Sequence, residues 1–271
     1  MKITEDYHIH TTISSCCTDP WQTVENVAAF MADSGRKTIA FTDHFWNNPE
    51  CPPSPWYAPQ DGRRHWPLFK AIRNLKIDGL TILTGCEADM CAVGKIGITP
   101  ELREKFDVVL LSTDHFHMKG FVELPSPVTP QSFAAHMMAF FRSGVASGLA
   151  DIMAHPLFTM GYEDIYDRTL ATISDAELFD AFALAANHHC AIEINAGVIH
   201  CCTNGIVGKE TLLRLFSTAK AAGAKFTVGS DSHSRTEFAC CSAVEKFIDE
   251  LRLIPADFAS FTPADATATQ Q

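Results

Sequence analysis

The sequence predicts an α/β fold in which seven parallel strands close into a barrel with helices between them. Three observations predict it. Short β-type apolar runs alternate along the chain with longer amphipathic stretches. Ligand-type polar residues follow at least six of the seven strand runs, as expected when a site occupies the strand C-terminal face of a barrel. An open doubly wound sheet would instead gather them near one switch point. Finally, no internal repeat, GxGxxG pattern or P-loop glycine pattern competes with this reading.

The strands are expected over residues 3–8, 37–41, 80–84, 107–111, 152–154, 191–195 and 225–228. Helices are expected over 21–34, 66–75, 130–144, 175–188, 209–222 and 237–251. Asp19-Pro20 and Pro67 read as starts of the first two helices, and Gly35, Gly144 and Gly223 stand where helices should end. Residues 45–66, rich in Pro and Trp, read as a long loop over the site, a lid or specificity wall. One barrel domain is expected over residues 1–261, with 262–271 as a frayed polar tail.

Composition narrows the function. A chain of 271 residues can bury a substantial core, and no apolar run approaches the roughly 20 residues that span a bilayer. The first residues carry no signal-peptide pattern, so a cytoplasmic location is expected. A net charge of −11 without a run of Lys or Arg disfavours a nucleic-acid footprint. An acidic protein acting on an anionic substrate needs positive charge supplied locally, and bound metal ions would do that. The ten cysteines include adjacent pairs (Cys16-Cys17, Cys201-Cys202, Cys240-Cys241) but no zinc-finger spacing. Apart from Cys16 they read as small buried residues of a reducing compartment.

The chemistry is carried by the strand ends. The first strand runs Asp6-Tyr7-His8-Ile9-His10, and residues two apart on a strand point the same way, so His8 and His10 project together. Thr42-Asp43-His44, Gly85-Cys86-Glu87-Ala88-Asp89, Ser112-Thr113-Asp114-His115-Phe116-His117, Met153-Ala154-His155-Pro156, Glu193-Ile194-Asn195 and Gly229-Ser230-Asp231-Ser232-His233 follow the later strands. A single histidine so placed is more often structural than a ligand. Seven of twelve just past strand ends is not a chance arrangement. Imidazoles and carboxylates are the donor set of zinc, manganese or iron. Glu87, between the two HxH pairs, is the natural carboxylate bridge.

These motifs, in this order from residue 6 to residue 233, resemble the PHP (polymerase and histidinol phosphatase) family. The resemblance implies a distorted (β/α)7, TIM-like barrel with a trinuclear metal centre. His8, His10, Glu87 and Asp231 would hold one ion; Glu87, His115 and His155 a second; His44 and His233 would belong to a third. Two positions depart from the pattern. Where family members carry a further His or Asp after the HxH pair, this chain has Ser15 and Cys16. The third site then rests on Cys16 as a thiolate ligand or on another group such as Asp19, with a spectator thiol as the alternative. His115 and His117 also compete for one position, and His115, nearer the strand end, is preferred.

The expected function is a metal-dependent phosphoesterase with two or three divalent ions (Zn, Mn or Fe). It would cleave a small phosphomonoester, histidinol phosphate or a nucleotide being family examples, by metal-activated hydroxide. Glu87, Asp231, His233 and Arg235 are the expected catalytic residues, with Arg235, Arg63, Arg64 and Lys119 as candidate phosphate grips. Asp6, Asp43 and Asp114 are expected to orient ligand imidazoles, and Phe45, Trp46, Trp56 and Trp66 to line the leaving-group pocket or to pack the loop. His188 and His189 read as helix-end residues. The alternatives are phosphodiester or 3′-end nuclease activity and a catalytically silent metal-binding module.

Overall fold

The computed structural model describes residues 1–264. Its strands are β1 (Glu5–Ile9), β2 (Thr38–Phe41), β3 (His44–Phe45), β4 (Thr81–Ala92), β5 (Lys95–Ile96), β6 (Val108–Ser112), β7 (Ile152–Met153), β8 (Ala191–Asn195) and β9 (Phe226–Gly229). Seven of them form a parallel sheet in the order β1-β2-β4-β6-β7-β8-β9. The ring is drawn together where the amide of Asp231 donates to His8 O (2.7 Å) and that of His10 to Ser232 O (3.2 Å). The expected barrel is therefore observed, nearly closed. Its two extra strands flank β4: β3 pairs with it in parallel, setting His44 opposite Glu87, and β5 returns antiparallel.

Nine α-helices among the described residues connect the strands: α1 (Val24–Asp33), α2 (Gly62–Asn74), α3 (Pro100–Arg103), α4 (Pro130–Ala146), α5 (Tyr166–Ala171), α6 (Asp175–Asn187), α7 (Ala196–Thr203), α8 (Lys209–Ala221) and α9 (Cys241–Glu250). Local chemistry starts them. Thr129 and Ser174 cap α4 and α6 in reciprocal capping boxes, with Pro130 in the first turn of α4. Strand alternation then divides the core. Val108, Leu110, Ile152 and Ala191 pack with Ala40 and Leu83 inside the barrel. Their neighbours Val109, Leu111, Met153 and Ile192 pack outward against the helices.

Several boundaries differ from expectation. α1 starts after Thr23, whose side chain accepts from Asn26 N, while Asp19 instead accepts from Trp21 N. Pro67 lies inside α2, which begins a turn earlier under the Asp61 cap. Gly144 does not end α4: a Cβ there would meet Thr113 Cγ2 at 2.9 Å, so glycine permits close helix–strand packing. Gly35 and Gly223, at φ 83° and 80°, end α1 and α8 as expected. β4 runs on to Ala92 through Gly85, where any Cβ would stand 2.7 Å from Thr42 Cγ2 and 2.8 Å from Val108 O. A 3-10 stretch, Arg235–Cys240, precedes α9, and α3, α5 and α7 were not expected.

The loop expected over 45–66 contains β3's Phe45 and, from Gly62, the start of α2. Its middle is packed rather than free. Trp46 is buried, its indole donates to Cys51 O (2.7 Å), and its ring lies 5.0 Å from Tyr57 and 4.9 Å from Phe121. Of the expected tail, Ala264 N donates to Asp107 Oδ1 (2.8 Å), and residues 265–271 lie outside the described residues.

Candidate metal centre

The C-terminal ends of the strands converge on Glu87, which is buried. Its Oε2 stands 3.4 Å from His8 Nε2, 3.5 Å from His10 Nε2 and 2.9 Å from His44 Nδ1. Its Oε1 faces the other way, 3.1 Å from His155 Nε2 and 3.6 Å from His115 Nε2. Asp231 Oδ1 is 3.2 Å from His10 Nε2 and 3.5 Å from His8 Nε2. His233 stacks on His10, ring centroids 4.1 Å apart. The groups His8–His10–Glu87, His8–His155–Asp231, His44–Glu87–His115 and His10–His44–His233 each place donor atoms within 4.8 Å of one another. All eight residues expected to be ligands thus meet in one place.

A layer of polar partners fixes these rings. His8 Nδ1 lies 2.8 Å from Glu193 Oε1, and Glu193 Oε2 accepts from the His155 amide (2.6 Å). His155 Nδ1 faces Asp114 Oδ1 at 2.8 Å. His10 Nδ1 sits 3.0 Å from Ser14 Oγ, which donates to Asp43 Oδ1 (2.6 Å). His115 Nδ1 pairs with Asp89 and lies 3.3 Å from Tyr57 OH. Asn195 donates from Nδ2 to both Asp231 and Glu193 (3.2 Å each), while its Oδ1 accepts from Val198 N and so caps α7. With Nδ1 engaged outward, the Nε2 atoms of His8, His10, His115 and His155 are left facing the centre. His155 (φ 30°) and Asp231 (φ 54°) hold left-handed backbone conformations that non-glycine residues seldom adopt.

The residues fit divalent cations. Glu87 Oε2, both Asp89 oxygens, Asp114 Oδ2 and His44 Nδ1 are buried without a well-aligned hydrogen-bond partner, although His44 Nδ1 and Glu87 Oε2 are close. Buried polar atoms of this kind call for a partner. No Lys or Arg lines the cleft above them. Burial opposes charge on Glu87, yet His44 and His8 hold its carboxyl well below the usual range. Burial likewise opposes a charged His8, and the carboxylates of Glu193, Asp231 and Glu87 overcome it and hold the ring well above its ordinary value. The cage attracts positive charge.

Other expectations find different places. Cys16 lines the cleft; burial resists ionisation, but His233 and His44 outweigh it and bring the thiol down to about 7. Ser15 uses its amide to donate to Gln60 Oε1 (2.8 Å). Asp19 joins none of the donor groups, since its oxygens accept from Trp21 N and Arg235 N. His117 lines the cleft but joins no group, whereas His115 joins two. Arg235 does not point to the cleft: its guanidinium lies over Trp21 and Phe30, 5.2 and 5.8 Å from the ring centroids. The left-handed turn at Asp231 and the 3-10 stretch that follows carry it outward.

Arg63 pairs with Asp61, and Arg64 and Lys119 are exposed away from the cleft lining. Asp43 and Asp114 brace ligand candidates as expected. Asp6 instead accepts from the Ser230 and His8 amides and touches no imidazole. Of the four aromatics, Trp56 lines the cleft, while Phe45, Trp46 and Trp66 pack away from it. His188 and His189 do lie at the end of α6. Asp89, Glu193 and Ser14 were missed as site residues. Asp89 sits two residues past Glu87 on β4, so the same spacing that singled out His8 and His10 was available for it.

No family model matches the chain. A search of solved structures finds histidinol phosphate phosphatase from Lactococcus lactis subsp. lactis Il1403, complexed with zinc, L-histidinol and phosphate. Its TM-score is 0.63 at 17% identity, covering 96% of this chain and 97% of that one. The chain has the fold of a histidinol phosphate phosphatase. Among curated proteins it is 27% identical over 260 residues to a probable phosphatase of Enterobacter sp. (strain 638), covering 95% of this chain and 90% of that one. It is 28% identical to a probable phosphatase of Shewanella sediminis (strain HAW-EB3), covering 86% and 79%. The resemblance drawn from the sequence motifs thus meets a structural neighbour and relatives of the same kind. No helix among the described residues is long and apolar enough to cross a membrane.

Proposed function

We propose that this chain is a metal-dependent phosphatase that hydrolyses small phosphomonoesters at a cluster of two or three divalent ions. The barrel of residues 1–261 would act as one unit. The observation that carries the reading is Glu87: its two oxygens face opposite sets of imidazoles inside a buried cage without Lys or Arg. His8, His10, Glu87 and Asp231 would hold one ion, and Glu87, His115 and His155 a second. His44 and His233, with His10 or Cys16 beside them, would hold a third.

Bound there, such ions supply a water acidified to about pKa 7 and positive charge for phosphoryl oxygens. The chain's own residues do the rest. Glu193, Asp114, Asp89 and the Ser14–Asp43 pair fix ring orientation, so the donor set is preorganised. His233, partly exposed at the mouth, donates from Nδ1 to Asp231 O (2.9 Å), so its Nε2 would serve the third site. Trp56 and Tyr57 shield the cage from bulk water on one side. A phosphodiesterase acting on nucleic acid would need a track of cations, and none of the cleft-lining residues supplies one.

Metal analysis of the purified protein, followed by p-nitrophenyl phosphate turnover with added Zn²⁺ or Mn²⁺, tests this. Turnover that is lost in Glu87→Ala supports it. No turnover with any metal removes the hydrolase reading.

A further inference from the structure

The cleft over the candidate centre encloses about 500 Å³ between two unlike walls. One wall is the acid–imidazole cage. The other is Trp56 with Met118 and Met160, and His117 and Cys16 stand at the rim. Trp56 is not a loose side chain: its ring makes T-shaped contacts with His44 at 5.1 Å and Tyr57 at 4.7 Å, and Tyr57 is itself fully buried. Gly161 closes up against His117, where a Cβ would come within 2.7 Å of His117 Cβ, so the Met160 side of the wall is also held. Among the described residues, the carboxylates lining the cleft are Glu87 and Asp231, both committed to the cage.

We propose that this wall selects phosphomonoesters whose leaving group is flat and apolar, stacked on Trp56 between the two thioethers, and disfavours leaving groups that carry an amine. The proposal rests on the phosphatase reading and names its substrate class. An aromatic face and soft sulfur atoms suit a planar, polarisable group. An ammonium on the Trp56 face would gain a cation–π contact, but with Glu87 and Asp231 committed to the cage it would find no carboxylate to offset the rest of its lost hydration. That would set the chain apart from its structural neighbour, whose bound L-histidinol bears an amine. The volume admits a group the size of an aryl alcohol or a single base.

The test uses the full chain loaded with zinc or manganese and compares kcat/KM on benzyl, glycerol, ethanolamine and histidinol phosphates, whose alcohol leaving groups have similar intrinsic reactivity. Benzyl phosphate is expected to exceed ethanolamine and histidinol phosphates by about ten-fold or more, the scale of one stacking contact. Trp56→Ala should shrink the benzyl-to-glycerol phosphate ratio by about ten-fold, through KM, and Trp56→Phe should restore most of it. A preference for either amine-bearing ester would place a cation on the Trp56 face and overturn the proposal. So would a Trp56→Ala variant that slows all four esters equally. Both outcomes leave the phosphatase reading intact; only absence of turnover on every ester would remove that reading and the proposal together.

Discussion

Gly229 ends β9, and its missing side chain lets Glu193 reach the ring of His8. A Cβ at this position would stand 1.9 Å from Glu193 Oε1 and 2.5 Å from His8 Cβ, where real Cβ contacts essentially never fall below 3.0 Å. In Gly229→Ala the carboxylate must therefore retreat by the difference, at least 1.1 Å. That takes the 2.8 Å contact with His8 Nδ1 out of hydrogen-bonding range and strains the 2.6 Å bond from the His155 amide. Hydrogen bonds to buried charged groups contribute about 1.5–3 kcal/mol each. Losing the first and weakening the second would destabilise the fold by about 2–4 kcal/mol, a fall in Tm of about 4–8 °C for a chain of this size. Loss of a residue that orients a metal-binding imidazole also weakens metal affinity by about 10- to 100-fold. Thermal unfolding, paired with zinc competition against a chromophoric chelator, reads both quantities. A variant that keeps its zinc affinity and melts within about 2 °C of the parent would refute the role assigned to Glu193.

Further outcomes follow from the same cage. Zinc at 100 times its Kd should stabilise the chain by about 2.7 kcal/mol, raising Tm by about 5 °C, and a chelator should reverse the gain; indifference to both would contradict metal occupancy. Because Asp231 sits at φ 54°, which Asn adopts readily and Gln does not, Asp231→Gln should cost about 1 kcal/mol more metal-free stability than Asp231→Asn, both variants having lost the charge beside His8 and His10. Both should bind less metal, and equal melting of the two would show that the backbone conformation carries no weight. Cys16→Ser should lower the metal-to-protein ratio, since the thiol lies against His44 and His233, and an unchanged ratio would make it a bystander. Asp89→Asn removes the charge facing His115 Nδ1 and should reduce kcat/KM on p-nitrophenyl phosphate by about 10- to 100-fold, with full activity ruling out a positioning role.

Much of the fold was legible because its signals are local. β8 was read to the residue, since Ala191–Asn195 is an apolar run that ends at a helix-capping Asn. The convergence of the candidate donors was legible for a similar reason: period-2 spacing aims His8 and His10 together without knowledge of the rest of the chain. What escaped depends on tertiary approach. Gly144 read as a helix end and Gly85 only as part of a motif, yet each is a place where backbone and side chains press close. Glu193 was noted in its motif without a role, because only the folded chain shows it reaching His8 across the barrel. Arg235, two residues after His233, looked well aimed. A left-handed residue upstream turns that short segment so that the guanidinium stacks on Trp21 instead.

Asn195 gives the chain an indicator of its own. Zinc is d¹⁰ and offers no redox signal by which its arrival could be followed. The amide group of Asn195, however, holds Asp231 and Glu193 with its nitrogen and the first turn of α7 with its oxygen. Whatever steadies those two carboxylates steadies the helix start as well. The exchange rate of the Val198 amide proton with solvent therefore becomes a readout of what the centre holds, carried by a backbone atom that takes no part in the chemistry.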